Sequence, residues 1–179
     1  YEIGSGLVGS EMCIRDRIRR EEPMMKRCIS ALLLLTLCLT LCACAEKEKT
    51  LAVSVGELSD KVADAMASEQ TAEYDETMLL DELGIQSSMF TEGFYKIGAS
   101  DASVEEVAFF KAADEDSALQ LKQKLETRKA ATEATQKDYN ADNYAVATAA
   151  TVETEGLYVY MVMSANRDAV TKAIEDNLK

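Results

Sequence analysis

"YAVATAATVETEGLYVYMVMS", Tyr144–Ser164, is the stretch on which the fold reading turns. Two runs rich in β-branched and aromatic residues flank Glu155–Gly156, and this spacing predicts a hairpin that turns at that pair. In the second run Leu157, Val159, Met161 and Met163 share one face of a strand, while Tyr158, Tyr160 and Val162 share the other. If helices cover only one face of the sheet, the Tyr158, Tyr160 and Val162 side lies open, with Phe109 or Phe110 near it on a neighbouring strand. Exposed aromatics on a sheet suit the binding of a peptide or sugar. If the N-terminal helices cover that side, both tyrosines are core-edge residues.

Outward from the hairpin, the period changes along the chain. Asn166 caps a last helix with Val170, Ala173, Ile174 and Leu178 inward. Upstream, "DEDSALQLKQKLETRKAATEATQ" is a long helix capped near Asp114, with Ala118, Leu121 and Leu125 on its buried stripe. "FYKIGAS" and "VEEVAFFKA" read as two strands joined through Asp101–Ser103. "ETMLLDEL" is a short helix after a cap at Asp75, and Gly84 is placed to end it in the left-handed conformation. "SVGE", Ser54–Glu57, is a capping box with Val53 and Leu58 at the staple positions, which starts a helix over about residues 55–67. The order is α-α-ββ-α-ββ-α. It predicts an α+β fold with an antiparallel sheet of about four strands and helices mainly on one face.

The bulk composition narrows the partners. The 179-residue chain has no histidine or tryptophan, and its formal charge is −13. After Ala43 it carries 13 Lys/Arg against 27 Asp/Glu, so this part is strongly acidic. Such a body repels nucleic acid and anionic headgroups; its natural partners are cations, basic proteins or neutral polymers, but the plainer reading, that the acidity keeps a surface protein soluble, is the one favoured.

All five cysteines precede residue 45. Met24 or Met25 starts an export signal: Lys26 and Arg27 are its basic region, Ile29–Leu41 its apolar core, and Ala43 the small residue before Cys44. The apolar run is shorter than the roughly 20 residues of a spanning helix. "LCAC", Leu41–Cys44, resembles the lipobox of bacterial lipoproteins, with Leu at −3 and the modified Cys at +1. Cleavage before Cys42 would put the bulky Leu41 at −1, so Cys44 is the expected lipidation site, palmitate-type acyl chains being its link to the membrane. The cysteine spacing matches no zinc or iron–sulfur site. The expected location is the extracytoplasmic face of the cell membrane.

Residues 1–17 read differently. "LVGSEMCIRDR", Leu7–Arg17, back-translates to a codon string like the adapter and transposon end used in shotgun sequencing. We therefore read 1–23 as adapter-derived and upstream sequence. Residues 24–43 are the signal peptide, 44–50 a lipidated tether, and 51–179 a single α+β domain. The dinucleotide-like spacing of Gly4, Gly6 and Gly9 falls in the adapter part and has no strand before it or helix after it.

The lipobox start, "LLDELGI", "FYKIGASDASVEEVAFFKAAD" and "GLYVYMVMSANRDAVTKAIEDNL" together resemble the small lipoproteins of Bacillota that carry domain of unknown function 4358. The resemblance spans residues from about 50 to the end of the sequence. It implies one extracytoplasmic domain on a lipid anchor and no established activity.

Catalytic signatures are sparse. No nucleophile elbow, S-x-x-K pair or H-E-x-x-H helix occurs in the mature chain, and no catalytic, metal or cofactor residue is assigned. Asp138, Asn140 and Asp142 match positions one, three and five of a calcium loop, but Ala149 stands where its bidentate glutamate belongs. That stretch reads as an Asx-rich loop between a helix and a strand. The acidic pairs at Asp75–Glu76, Asp81–Glu82 and Asp114–Asp116 sit at caps, in first turns or on an exposed helix face, where acids are expected. The sequence thus favours a non-enzymatic envelope module that binds a protein or wall polymer. An accessory enzyme of envelope polysaccharide, or an inhibitor or sensor of a membrane enzyme, is the alternative.

Overall fold

The computed structural model describes residues 49–100 and 102–179. The adapter, signal and Cys44 assignments lie outside those residues. Ser54 opens α1 (Val55–Ala65) by accepting from the Glu57 amide at 3.2 Å, as the capping box requires. Asp75 opens α2 (Glu76–Leu83) in the same way through the Met78 amide, and Gly84 ends it at φ +64°, a conformation that costs glycine nothing. Asp114 accepts from the Ser117 amide at 2.7 Å and starts the long α3 (Glu115–Gln136). After α3 come α4 (Ala141–Ala149) and, near the C-terminus, α5 (Arg167–Glu175).

The strands are β1 (Thr71–Glu73), β2 (Phe90–Gly98), β3 (Glu106–Ala112), β4 (Thr151–Glu155) and β5 (Tyr158–Met163). They form one antiparallel sheet in the order β1-β2-β3-β5-β4. The fold is α+β as expected, with one strand more than the sequence suggested. β1 comes from a polar stretch whose two exposed residues give no alternation signal. The hairpin turns at Gly156–Leu157, with Gly156 at φ +61° and Glu155 paired to Tyr158 across the two-residue turn.

Two expectations are corrected. Tyr144–Ala149 is helical rather than part of a strand, because the Asn140 side chain caps it through the amides of Asp142 and Asn143. Its alanines are also strong helix formers, and the chain becomes extended only at Ala150. The helices, moreover, are not mainly on one face. Leu79 of α2, Leu121 and Leu125 of α3 and Ala147 of α4 pack over Tyr95, Ala108, Phe110, Val159 and Met161. Leu58 and Val62 of α1, with Val170 and Ile174 of α5, pack over the opposite face.

That second face is the one carrying Tyr158, Tyr160 and Val162. The division of β5 into two faces is as read from the sequence, but neither face is open. Tyr158 is 2% exposed, Tyr160 1% and Val162 0%. The apolar stripes of α1 and α5 would otherwise face water, and this half of the sheet is where they are buried. Phe109 sits among the tyrosines, its ring centroid 5.5 Å from that of Tyr158 and 6.4 Å from that of Tyr160. The three residues are core, and the proposed partner-binding face does not exist.

The ends of the domain are joined. Thr50 and Lys179 exchange backbone hydrogen bonds at 2.8 and 2.9 Å, Leu51 bridges Leu178, and the Lys49 ammonium meets Glu155 at 2.8 Å. The chain therefore enters the domain beside the β4–β5 turn.

Candidate functional site

Two adjacent glutamates at the start of β3 are buried, each 6% exposed. Because side chains alternate along the strand, they serve different neighbours. Glu105 precedes the first β3 pairing and collects donors from two other elements. The Ser68 amide and hydroxyl reach Oε2 at 2.6 Å, while the Ser164 hydroxyl at 2.5 Å and the Ala165 amide at 2.9 Å reach Oε1. Burial alone would raise this carboxyl, but the bonds from Ser164, Ser68 and Ala165 outweigh it and hold the group below its ordinary range. The segment after α1 and the residues after β5 are thus tied to one anion.

Glu106 faces the α3 side. Arg128 donates to it from Nε at 2.9 Å to Oε2 and from Nη2 at 2.7 Å to Oε1, a bidentate grip. The Tyr95 hydroxyl donates to the same Oε2. Hydrogen bonding to Glu106 pushes the Arg128 guanidinium above its ordinary value, so it stays charged. Burial, then the Glu106 charge, pushes Tyr95 well up, so it stays neutral. Tyr74 stacks on Tyr95 with centroids 5.1 Å apart. Beside this group lies a small cavity of about 230 Å³, walled by Tyr74, Ser100, Ser103 and Arg128. Every buried side-chain nitrogen or oxygen among the described residues has a hydrogen-bond partner.

A larger opening runs along the other edge of the sheet. Thr151, Glu153 and Glu155 of β4 form one wall of a groove of about 800 Å³, and Asp168, Lys172 and Glu175 of α5 help form the other. The Tyr160 ring is buried beneath it, but its hydroxyl donates to Glu155 at 3.2 Å. Burial first, then the nearby glutamates, raises this phenol, so it remains a neutral donor. Three ion pairs are internal to the groove or its rim: Lys49–Glu155, Arg167–Asp168 and Lys172–Asp176. Glu153 and Glu175 form none among the described residues.

Two of the acids noted in the sequence have structural roles. Asp75 and Asp114 cap helices, and the Asp114 carboxyl is held below its usual range by its bonds to Ser117. Asn140 spends its carbonyl on the α4 cap, and its stretch forms helix where a calcium loop would need an open turn. Among the described residues no cluster of three or more possible metal ligands occurs, and no helix is long and apolar enough to cross a membrane.

The buried pair at Glu105–Glu106 was missed in the sequence, although a signal was present. Counting back by two from Ala108 places Glu106 on a core face, where an acid demands a buried cation. Arg128 stands one turn beyond Lys124 and Leu125 on the helix that covers that face.

Neither curated proteins nor solved structures give a match to this chain. The model of a domain of unknown function, DUF4358, matches residues 63–164. That range contains all five strands, and with them Tyr95, Glu105, Glu106, Arg128 and Ser164. The match covers more than half of the sequence, and the chain belongs to the DUF4358 family.

Proposed function

We propose that this chain is a lipoprotein of the Bacillota type, cleaved before Cys44 and held by acyl chains at the outer face of the cell membrane. Its domain acts there as a non-enzymatic binding module for an envelope protein or wall polymer. Residues 1–17 are adapter-derived and take no part. The signal pattern Lys26–Ala43 and the absence of cysteine after Cys44 support the anchor.

The observation that carries the binding role is the open groove between β4 and α5. Both sheet faces are closed by helices, and the Glu106–Arg128–Tyr95 group satisfies itself. At the edge of the sheet a 5-residue strand and a charged helix leave room for another chain. The test has two arms. A Cys44→Ala chain produced in a bacterium stays unprocessed and loses an acyl label, whereas loss of the label in Cys42→Ala would overturn the assignment. Crosslinking from Glu153 or Glu175 in the native envelope captures one dominant partner, and an adduct pattern no different from that of the exposed Leu119 would overturn the groove.

A further inference from the structure

We infer that the free edge of β4 accepts an extended protein segment bearing lysine or arginine as a sixth strand, supplied by a partner embedded in the same membrane. The membrane half of this inference rests on anchoring at Cys44; the strand addition does not.

The hairpin settles which backbone groups are free. Glu155 and Tyr158 close a two-residue turn, so they form a hydrogen-bonded pair, and bonded pairs recur at every second residue of β4. Glu153 and Thr151 therefore also bond to β5, while the amides and carbonyls of Val152 and Thr154 point away from the sheet. No hydrogen bond to those groups occurs among the described residues. β4 is the last strand of the sheet, and its Thr154 is exposed. An edge with unpaired donors and acceptors is a template for a further strand.

Charge selects the occupant. Side chains of an added strand alternate, and those on the α5 side would enter the groove next to Glu153. There they meet Glu153 and Glu175, which lack ion-pair partners among the described residues. A second copy of this chain would bring Glu153 or Glu155 against the same carboxylates, and like charges opposed across strands repel. A lysine or arginine finds two open partners instead.

The tether limits where the partner can stand. Four residues, and so five residue-to-residue steps, separate Cys44 from Lys49, which is paired with Glu155, and five extended steps reach at most about 18 Å. Crossing from Lys49 to Glu155 adds roughly 10 Å and the rest of β4 about 14 Å, so the whole edge lies within about 42 Å of the lipid surface. A segment projecting from a membrane protein reaches that zone.

The test uses the full acylated chain in detergent micelles and hydrogen-exchange mass spectrometry over 151–155. The probe is a capped peptide of alternating lysine and valine, and the control alternates glutamate and valine. At about ten times its dissociation constant the lysine peptide slows exchange at Val152 and Thr154 by about tenfold, and the glutamate peptide does not. Thr154→Pro removes one outward donor and leaves the bonds to β5 intact, so protection at Val152 is lost. Glu153→Gln/Glu175→Gln, a surface change that leaves the fold in place, weakens binding of the lysine peptide. Equal protection by both peptides, or full protection of Thr154→Pro, overturns the strand addition. In cells, a photo-crosslinker at Thr154 should join an integral membrane protein through a lysine- or arginine-bearing segment. An adduct to wall glycan overturns the membrane half. Absence of an acyl label on the wild-type chain overturns that half alone, since the peptide measurement does not depend on it.

Discussion

Arg128 grips Glu106 through two nitrogens, at 2.7 Å from Nη2 and 2.9 Å from Nε, and thereby pins α3 to β3 across one core of the domain. The pair is unequal: the Glu106 side chain is 7% exposed and that of Arg128 28%. Removing the arginine leaves a carboxylate in the core, held only by Tyr95. Removing the glutamate strands a guanidinium that can partly turn to water, and a tyrosine that cannot.

Arg128→Ala should therefore destabilise the domain by about 3 kcal/mol, at the low end of the range for breaking a buried pair because the guanidinium is partly hydrated. Replacing the pair together, as Glu106→Leu/Arg128→Met, should recover much of that loss. Urea unfolding followed by circular dichroism measures both variants against the parent chain. A double mutant no more stable than Arg128→Ala would contradict the account.

Glu105 makes a prediction about acid. Its folded pKa lies below the ordinary carboxyl value, so its stabilisation is fully present above the unfolded value and is lost as pH falls through the folded one. Glu105→Gln should lower stability at neutral pH and flatten the fall in stability as pH drops below the ordinary carboxyl range. Ser164→Ala, which removes the first of the bonds that lower the pKa, should shift that fall to higher pH. Thermal melts across a pH series read both effects.

Tyr158 and Tyr160 are packed against helices, and their truncation should act on the fold. Tyr160→Ala should cost about 4 kcal/mol, in the range of large aromatic deletions. Tyr160→Phe removes only the hydroxyl bond to Glu155 and should cost about 1 kcal/mol. A folded Tyr158→Ala/Tyr160→Ala chain with unchanged melting would restore the open-face reading.

Asn140 holds the start of α4. Asn140→Ala should cost about 1 kcal/mol through the lost cap. Added calcium should leave the melting temperature of the parent chain unchanged. A rise with calcium that Asn140→Ala abolishes would show that this stretch binds the ion after all.

The fold was legible where local chemistry and burial point the same way. Ser54, Asp75, Gly84 and Asp114 mark helix ends by the groups they satisfy, and each does so in the structure. The two faces of β5 followed from strict alternation. Where tertiary context decides, the sequence misled. β5 is apolar on both faces because both are covered, but a run such as "LYVYMVM" reads equally well as a half-exposed strand. Tyr144–Ala149 mixes β-branched and alanine residues, and its helix starts outside that run, at the Asn140 cap. The sequence does not single out Glu105 and Glu106, because their partners, Ser164 and Arg128, are 59 and 22 residues away. The β4 groove could not be read at all, since its walls come from two elements that only the sheet order brings together.

The most direct test is the mass of the N-terminal peptide of the protein extracted from a bacterial membrane. The account predicts a peptide that begins at Cys44 and carries acyl chains on its sulfur. A peptide beginning elsewhere, or an unmodified Cys44, would contradict it.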